Sequence, residues 1–309
     1  MDDLIIIGGS AAGTTAGIYA ARRGLKFRII SKDLGGEIIT SGEIANWPGI
    51  IHTNGVQLAQ QFKEHLLSYK PVVEEGARVE KIERQQDGTF MVSGTRDGAP
   101  QQWQAKTILI TTGLHPRELG VPGEKELRNK GLSYCTVCDG PLFAGKVTTV
   151  IGGGNSALEA ALMLTDIASQ VYVINKNPQF KGEQVLIDNL ATKKNIQIVY
   201  SAMTTEIVAG SNGFVSAIHY TDQQGQTQEL KTEGVFVHIG QIPNSSFVPA
   251  DVVKDQYGQV KVTMTGETNI PGLYAAGDVT DVPHKQIVIA AGQGCAAVLS
   301  AVNYLNRLR

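Results

Sequence analysis

Hydrophobic and polar positions near the start of the chain follow the order strand, helix, strand. Residues 4–7 form a β-branched run that meets a glycine turn over residues 8–13. A helical stretch continues to about Arg23, with Gly24 as its expected C-cap, and a second strand is predicted over residues 27–30. This pattern predicts a βαβ unit whose glycine turn lies at a helix N-terminus, where backbone N–H groups can bind phosphate.

The same pattern recurs in the middle of the chain. A strand is predicted to end at Ile151, a glycine turn covers residues 152–157, and the next strand is predicted to end near Asn175. The first turn fits G-x-G-x-x-G except that Ser10, a small residue, occupies the second glycine position. The first glycine and the end of the second strand are 23 positions apart in both copies, from 8 to 31 and from 152 to 175. Two turns with matching spacing predict two dinucleotide-binding units.

A further strand that ends in glycine closes each copy, at Gly113 and Gly240. Before each closing strand, alternating runs with polar glycine-containing turns predict antiparallel meanders appended to the parallel sheets. Later, Gly277 and Asp278 follow a predicted strand and precede a predicted helix that carries Gln286. The carboxylate can accept hydrogen bonds from sugar-like hydroxyls, or it can be an ordinary N-cap. The predicted fold class is α/β with Rossmann-like domains.

Composition and charge narrow the function classes. The chain has 309 residues, 42% of them hydrophobic and 18% charged, and a formal net charge of −2. This charge gives no strong attraction to nucleic acid or to an acidic membrane surface. No uninterrupted apolar run reaches the roughly 18 residues of a membrane span, and the stretch closest to it, QIVIAAGQGCAAVLSAV, contains glutamines and glycines. Because the N-terminus begins with acids rather than a basic segment, we expect a cytoplasmic protein without a targeting signal.

Two of the three cysteines, Cys135 and Cys138, form a C-x-x-C pair followed directly by Asp139. In a reducing compartment such a pair is more often a metal site or a redox centre than a structural bridge. A zinc site needs about four ligands, but the chain has no second C-x-x-C and its histidines show no paired spacing. Two buried structural cysteines are the remaining alternative. We expect Cys295 to be a small apolar helix residue and no metal to be bound.

Seven motifs in this order resemble the low-molecular-weight thioredoxin reductases nearly end to end. They are IIIGGSAAGTTAGIYAARRG, GGEIITSGEIANWPG, ITTG, CTVCDG, VIGGGNSALEAA, VFVHIGQIPN and GLYAAGDVTDVPHKQIVIAAGQGCAA. The stretch from CDGPLFAGK to GEQVLIDNL is also similar to the C-terminal flavoprotein part of bacterial alkyl hydroperoxide reductase. That relative carries an extra N-terminal redox module, which we expect this chain to lack.

The resemblance implies two Rossmann-like domains of three-layer ββα type, the second inserted in the first. A discontinuous FAD-binding domain would span residues 1–114 and 245–309, and an NAD(P)H-binding-like domain with the C-x-x-C pair would span residues 115–244. The segments TTGLHP and GQIPN are expected to act as hinges between them, and a homodimer is implied. By position, the family's FAD contacts fall on Gly8, Ser10, Ala11, Gly13, Gly36, Glu37, Asn46, Val79, Thr111, Gly113, Gly277, Asp278, Gln286 and Ile287.

The sequence does not specify a single electron donor. Family members that use NADPH carry H-R-R-x-x-x-R after the second strand, whereas this chain has NKNPQFK. Arginines that clamp the 2′-phosphate are missing, and so is an acid for the ribose of NADH. We favour NADH over NADPH, and a ferredoxin- or flavin-linked reductase stays open. Expected NAD(P) contacts are Gly152, Gly154, Asn155, Ser156, Asn175, Lys176 and Lys181.

The resemblance also assigns roles to the cysteine pair. Cys135 and Cys138 would form a redox-active disulfide, with Cys138 facing the flavin and Cys135 attacking the partner. Asp139 would protonate the leaving thiolate, although it could instead be a turn or N-cap residue. Glu37 departs from the family's usual glutamine, and a carboxylate cannot donate a hydrogen bond unless it is protonated.

The expected function is FAD-dependent reduction of a thioredoxin-like protein. Alternatives are NADH-dependent reduction of a peroxiredoxin- or glutaredoxin-like partner, and a flavin-binding redox sensor without turnover. The intact C-x-x-C-D sequence argues against the sensor.

Overall fold

The computed structural model describes residues 1–308. The chain divides into two compact units: an outer unit, Met1–His115 with Ile242–Arg309, and an inserted unit, Pro116–Gln241. The domain boundaries predicted from the sequence, at residues 114 and 245, lie one and three residues from these divisions. The chain passes between the units within two short strands, Leu114–Pro116 and Gln241–Pro243, which fall in the two predicted hinge segments.

The outer unit begins with the predicted βαβ unit. The helix ends one residue earlier than predicted, and Gly24 follows it with a φ of +68°, a left-handed conformation that favours glycine. The elements of the outer unit are β1 (Asp2–Ile7), α1 (Ala11–Arg22), β2 (Phe27–Ser31), β3 (Glu43–Ile44), β4 (Thr53–Asn54), α2 (Gly55–Ser68), β5 (Val72–Glu75), β6 (Ala77–Arg84), β7 (Phe90–Arg96), β8 (Ala99–Ile110), β9 (Leu114–Pro116), β19 (Leu273–Ala275) and α6 (Ile287–Arg307).

One seven-stranded sheet organises the outer unit. Its order is β5-β2-β1-β8-β7-β6, and β19 pairs with β8. The strands β5, β2, β1, β8 and β19 pair in parallel, while β6, β7 and β8 form an antiparallel meander. In β1 the residues Leu4, Ile5 and Ile6 are fully buried, as expected for a parallel strand covered on both faces. The C-terminal ends of β1, β8 and β19 thus lie side by side, and their following turns form one edge.

Helix α6 packs closely on α1 through small residues. A Cβ atom at Gly294 would lie 2.1 Å from the carbonyl oxygen of Ala12, so the backbones can approach only with glycine at that position. By length and composition α6 could also cross a membrane, which differs from the prediction that no apolar run is long enough for a membrane span. Within this unit, however, Ala297, Val298 and Ala301 of α6 are fully buried in the core. Gly294 is therefore a packing position, whereas a Cβ placed on Gly292 would have no atom of residues 1–308 within 4 Å beyond its own helix.

The inserted unit repeats the parallel architecture on a smaller scale. Its five-stranded parallel sheet has the order β10-β17-β11-β12-β13. The elements are β10 (Leu132–Ser133), α3 (Thr136–Asp139), β11 (Val147–Ile151), α4 (Asn155–Thr165), β12 (Gln170–Asn175), α5 (Gln184–Ala191), β13 (Ile196–Tyr200), β14 (Met203–Ala209), β15 (Val215–Thr221), β16 (Thr227–Lys231), β17 (Gly234–Val237) and β18 (Gln241–Pro243).

The second meander differs from the prediction. It forms a separate three-stranded sheet, β14-β15-β16, instead of extending the parallel sheet. In the outer unit the long strand β8 belongs to both the meander and the parallel part. Here Thr232 ends the meander, and its hydroxyl donates to the carbonyl oxygens of Val147 and Gly234, at 3.2 and 3.0 Å. The chain therefore turns at Thr232 before it enters the parallel sheet as β17.

Candidate redox and dinucleotide-binding sites

The C-x-x-C pair forms a disulfide at the start of a single helical turn in the inserted unit. Cys135 is the N-cap of α3 and is bonded to Cys138, with 5.3 Å between their Cα atoms. Cys138 is exposed and Cys135 is partly exposed. The short helix thus holds the two sulfurs together at the surface of the unit, where an outside group can reach them.

One backbone hydrogen bond distinguishes the two sulfurs. The amide N–H of Cys138 donates to Sγ of Cys135 at 3.2 Å. In the reduced form an N–H donor of this kind stabilises a thiolate more than a thiol, and thiolates are the reactive form. A thiolate on Cys135 would therefore keep a backbone donor from its own helical turn.

Asp139 lies behind the cysteines and shares a hydrogen-bond network with Ser133. The hydroxyl of Ser133 donates to Oδ2 of Asp139 and accepts from the amide of Cys135, at 3.0 Å in the second case. Burial raises the pKa of Asp139, and the hydrogen bond from Ser133 opposes this shift. The carboxyl is thus biased toward the protonated state that a proton donor needs. Sequence reasoning missed Ser133, whose only signal is a hydroxyl two residues before the first cysteine.

The second glycine turn lies in the same unit, between β11 and α4. Gly152 has a φ of +148°, and a Cβ atom there would lie 2.2 Å from the carbonyl oxygen of His238. No atom lies within 4 Å of a Cβ placed on Gly154, the N-cap of α4, so the space above it is open. Asn155 and Ser156 begin the helix on the exposed side. The first N–H groups of α4 therefore lie beside open space, as an anion-binding turn requires.

The side chain of Asn175 is buried and hydrogen-bonded within the protein, so it is not free to contact a ribose. It is 1% exposed, its Nδ2 donates to the carbonyl of Gln179 at 2.9 Å, and its Oδ1 accepts from the amide of Asn177 at 3.1 Å. These bonds hold the loop that follows β12. Lys176 and Lys181 of this loop are exposed, and the amide of Lys181 donates to the carbonyl of Gly153 at 2.8 Å. The loop thus carries both lysines beside the glycine turn, and their contact with a nucleotide stays a prediction.

The first glycine turn, in the outer unit, has close backbone approaches at both Gly8 and Gly13. A Cβ at Gly8 would lie 2.4 Å from the carbonyl oxygen of Thr111, and one at Gly13 would lie 1.9 Å from the carbonyl oxygen of Gly8. Ser10 is the N-cap of α1, and its hydroxyl donates to the carbonyl of Gly35 at 2.7 Å. Ala11 starts the helix. Because the Ser10 side chain is engaged with Gly35, the first backbone N–H groups of α1 carry the phosphate-binding capacity of this turn.

Several predicted FAD contacts lie near one another in the outer unit. Nδ2 of Asn46 donates to Oε1 of Gln286 at 3.2 Å. Gln286 is the N-cap of α6 rather than a residue within it, and Ile287 is the first helical residue. A turn of 3₁₀-helix contains Gly36 and Glu37, whose Oε2 accepts from Thr40 at 3.1 Å.

The remaining predicted FAD contacts follow strands of the outer sheet. Thr111 is buried, and its hydroxyl donates to the carbonyls of Ile7 and Gly8, at 2.9 and 3.0 Å, which fixes the end of β8 against the glycine turn. Gly113, with a φ of +65°, lies just beyond that strand. Val79 lies on β6 and packs against the core as a partly buried side chain.

The turn after β19 places a carboxylate beside the first glycine turn. A Cβ at Gly277 would lie 3.1 Å from Cβ of Ala12, and its amide donates to Oε1 of Gln293 at 2.9 Å. Asp278 follows, but the helix begins only at Ile287, so Asp278 is not an N-cap. Burial raises the pKa of Asp278 to about 6, and Lys285 partly opposes the shift.

Comparison with known proteins decides the family. Residues 2–294 match the family described as pyridine nucleotide-disulphide oxidoreductase. The chain belongs to this family. As a member it is an oxidoreductase of the thioredoxin reductase type, and membership implies FAD and NAD(P)H as cofactors. The sequence-based predictions of an oxidoreductase and of an α/β fold with two Rossmann-like domains are confirmed.

Relatives of two kinds support this assignment. The chain is 38% identical over 309 residues to an alkyl hydroperoxide reductase component of Escherichia coli (strain K12) and 37% identical over 306 residues to an NADH dehydrogenase of Bacillus subtilis (strain 168). Each match covers 99% of this chain and 59% of the relative, so the chain spans little more than half of those proteins. The structure of thioredoxin reductase from Streptococcus pyogenes MGAS5005 matches with a TM-score of 0.92, 34% identity and 99% coverage of both chains.

The outer unit of this pyridine nucleotide-disulphide oxidoreductase fits FAD on two observations. The glycines at Gly8 and Gly13 allow β1, β8 and α1 to pack closely around the turn, and the first N–H groups of α1, which lack intrahelical acceptors, are the donors available to a phosphate. In addition, the carboxylate of Asp278 accepts no hydrogen bond from any group in residues 1–308, although it is partly buried. A carboxylate that is partly withdrawn from water normally has a hydrogen-bond partner. A sugar or ribityl hydroxyl would supply it.

We predict that Asp278→Asn weakens FAD binding by about 10–100-fold, because a hydrogen bond to a charged group contributes about 1.5–3 kcal/mol. Burial raises the pKa of Asp278 above its unfolded value, so this group favours the folded apoprotein at low pH, and that contribution is lost as the pH rises toward about 6. The variant should therefore also raise the thermal midpoint of the apoprotein at pH values above about 6.

Fluorescence titration of apoprotein with FAD checks this prediction. Asp251→Asn, an exposed aspartate of the same unit, is the matched control and should leave FAD affinity unchanged. Equal affinity in wild type and Asp278→Asn would remove Asp278 from the binding site.

Proposed function

We propose that this oxidoreductase passes electrons from NADH or NADPH, by way of FAD and the Cys135–Cys138 disulfide, to a thioredoxin-like protein. One observation carries the proposal: an accessible disulfide lies in the same unit as a dinucleotide-type glycine turn, next to an acid whose pKa is raised. FAD, when bound, would supply the two-electron carrier between the nicotinamide and the disulfide. The first glycine turn, Asp278 and the Asn46–Gln286 pair would hold it.

The cysteines would perform thiol–disulfide exchange on the partner. The thiolate of Cys135 attacks one sulfur of the partner disulfide, and the other partner sulfur leaves as a thiolate that takes up a proton. Cys138 then attacks Cys135, which restores the intramolecular disulfide and releases the reduced partner. Two electrons leave the dithiol in this sequence. Asp139 is suitably biased to hold the proton that a leaving thiolate requires.

Apolar groups around the disulfide support a protein partner. Val137, between the cysteines, is 59% exposed, and Leu142, just after them, is 48% exposed. A cavity of about 260 Å³ in the same unit is lined in part by Leu142, Phe143 and Phe214. Exposed apolar side chains next to a reactive group favour contact with a protein surface over contact with a small polar thiol.

A peroxiredoxin-like partner is the second candidate, favoured by the identity to the alkyl hydroperoxide reductase component. Assays with a purified thioredoxin and a purified peroxiredoxin, each with NADH as donor, separate the two candidates. Reduction of thioredoxin with a kcat/KM at least tenfold above that for the peroxiredoxin supports the proposal. A kcat/KM at least tenfold higher for the peroxiredoxin than for thioredoxin would instead support peroxiredoxin reduction as the function.

We propose NADH as the favoured donor. No arginine lies in the loop after β12, and Asn175 is occupied by loop hydrogen bonds. Lys176 and Lys181 are the cations of this loop, and on exposed side chains such charges add little to phosphate binding. If neither NADH nor NADPH reduces the flavin, a ferredoxin- or flavin-linked reductase takes the place of this proposal.

We predict that Lys181→Ala lowers kcat/KM for NADPH by about two- to fivefold and leaves that for NADH within about twofold, since an exposed ion pair contributes about 0.2–1 kcal/mol. Steady-state kinetics with both nucleotides measures this. Lys194→Ala, an exposed lysine of the same unit, is the control. Equal losses with both nucleotides would contradict a role of Lys181 at the 2′-phosphate.

We further propose a cytoplasmic homodimer. Support comes from the resemblance to thioredoxin reductases and from cysteine usage typical of a reducing compartment. Light scattering of the purified protein at several concentrations tests the dimer.

A further inference from the structure

His238 connects the second glycine turn with the cysteine pair inside the inserted unit. It follows β17 directly, and its amide donates to the carbonyl of Ile151 at 2.8 Å, in the last residue of β11. Its own carbonyl oxygen lies where a Cβ on Gly152 would come within 2.2 Å. The backbone of His238 is therefore fixed against the turn that begins the dinucleotide-type site.

The side chain of His238 reaches the segment between the cysteines. Its Nε2 lies 2.7 Å from Oγ1 of Thr136, which is 3% exposed and is the first residue of α3. This is the only side-chain hydrogen bond of Thr136 within residues 1–308. Burial lowers the pKa of His238 to about 4, so the ring is neutral at physiological pH. A neutral imidazole can pair with a hydroxyl without bringing a charge next to the disulfide.

The partner of this hydrogen bond is well placed to affect the sulfurs. Thr136 is adjacent to Cys135, and both belong to the single turn in which the amide of Cys138 donates to Sγ of Cys135. A helix of four residues has little stability of its own, so side-chain contacts determine how firmly this turn is held.

We propose that His238 is a positioning residue for the redox centre: through Thr136 it holds α3 in the geometry of the closed disulfide and thereby sets the disulfide's midpoint potential. The proposal rests on Cys135 and Cys138 being the redox pair. The hydrogen bond is made while the disulfide restrains α3. Opening the disulfide releases the turn, so the bond stabilises the oxidised form more than the dithiol form.

Replacement of the ring should therefore make the disulfide easier to reduce. We expect His238→Ala and Thr136→Val each to shift the dithiol–disulfide equilibrium about tenfold toward the dithiol, which is a potential about 30 mV less negative. Because both substitutions remove the same bond, the double variant should shift no further than either single one. His238→Gln places an amide near the position of Nε2 and should return the equilibrium to within about twofold of wild type.

The experiment is a redox titration of Cys135–Cys138 in glutathione buffers, read by thiol alkylation and mass spectrometry of the peptide that contains both cysteines. It needs neither nucleotide nor protein partner, so it can fail or succeed independently of the proposed function. His219→Ala, a histidine on the separate three-stranded sheet, is the matched control and should leave the potential unchanged.

Non-additive shifts with rescue by glutamine support the positioning role. Potentials of His238→Ala and Thr136→Val within about twofold of wild type in equilibrium constant overturn it. Additive shifts in the double variant, or a His238→Gln protein that behaves like His238→Ala, also overturn it, since the bond to Thr136 would then not be the cause.

Discussion

Replacement of Cys138 by serine is expected to reduce turnover with disulfide partners by about 10³-fold or more, because removal of an essential nucleophile leaves only residual catalysis. Serine cannot close a disulfide with Cys135, so the dithiol that would reduce the partner does not form. Flavin reduction by the nucleotide should persist, since the groups that would hold FAD lie in the outer unit. Stopped-flow absorbance of the flavin and steady-state partner reduction measure the two activities separately.

The control for this substitution is Cys295→Ser. Cys295 lies on α6, is partly buried and is not in a disulfide. Its replacement should leave partner reduction within about twofold of wild type. A Cys138→Ser protein that still reduces the partner at a comparable rate would show that electrons bypass the C-x-x-C pair.

Asp139→Asn is expected to lower partner reduction by about 10²–10⁴-fold, the usual contribution of a general acid or base. Asparagine preserves the shape of the side chain and can still accept the hydrogen bond from Ser133, but it cannot release a proton. Wild-type activity should fall as the pH rises through the raised pKa of Asp139, while the residual activity of the variant should not follow that titration.

Linkage gives a second readout for the same residue. Because burial raises the pKa of Asp139 above its unfolded value, the folded protein binds this proton more readily, so its stabilising contribution is present at low pH and is lost as the pH rises through the raised pKa. Asp139→Asn should flatten that part of the stability profile. Asp188→Asn, an exposed aspartate on α5, is the control. Unchanged turnover in Asp139→Asn would exclude the proton-donor role.

The strands and helices of the two βαβ units were predictable because short local sequence patterns specify them. Both βαβ units follow from β-branched runs, glycine turns and matched spacing, and the strand predicted to end near Asn175 ends at that residue. Close approach requires glycine at Gly8, Gly13 and Gly152, where a Cβ would lie 2.4, 1.9 and 2.2 Å from a carbonyl oxygen. Such constraints are local in sequence, so a single chain reveals them.

Other features depend on individual side-chain contacts that no sequence motif specifies, and these were not predictable. By spacing, Asn175 holds the position of a ribose ligand, but the following loop folds back onto Gly153 and buries it. Ser133 joins the redox network only because a tight turn brings its hydroxyl to Asp139. His238 reaches Thr136 across 102 positions of sequence. No motif specifies the bond between Ser133 and Asp139, which are six positions apart, and His238 meets Thr136 only after the parallel sheet has formed.

The most direct test of the central claim is anaerobic titration of the purified flavoprotein with NADH, followed by flavin absorbance and by alkylation of Cys135 and Cys138. If the disulfide receives electrons from the flavin, wild type should consume about two molecules of NADH per chain, one for each two-electron centre, and both cysteines should become alkylated. Consumption of about one molecule with Cys135 and Cys138 still joined would contradict the claim.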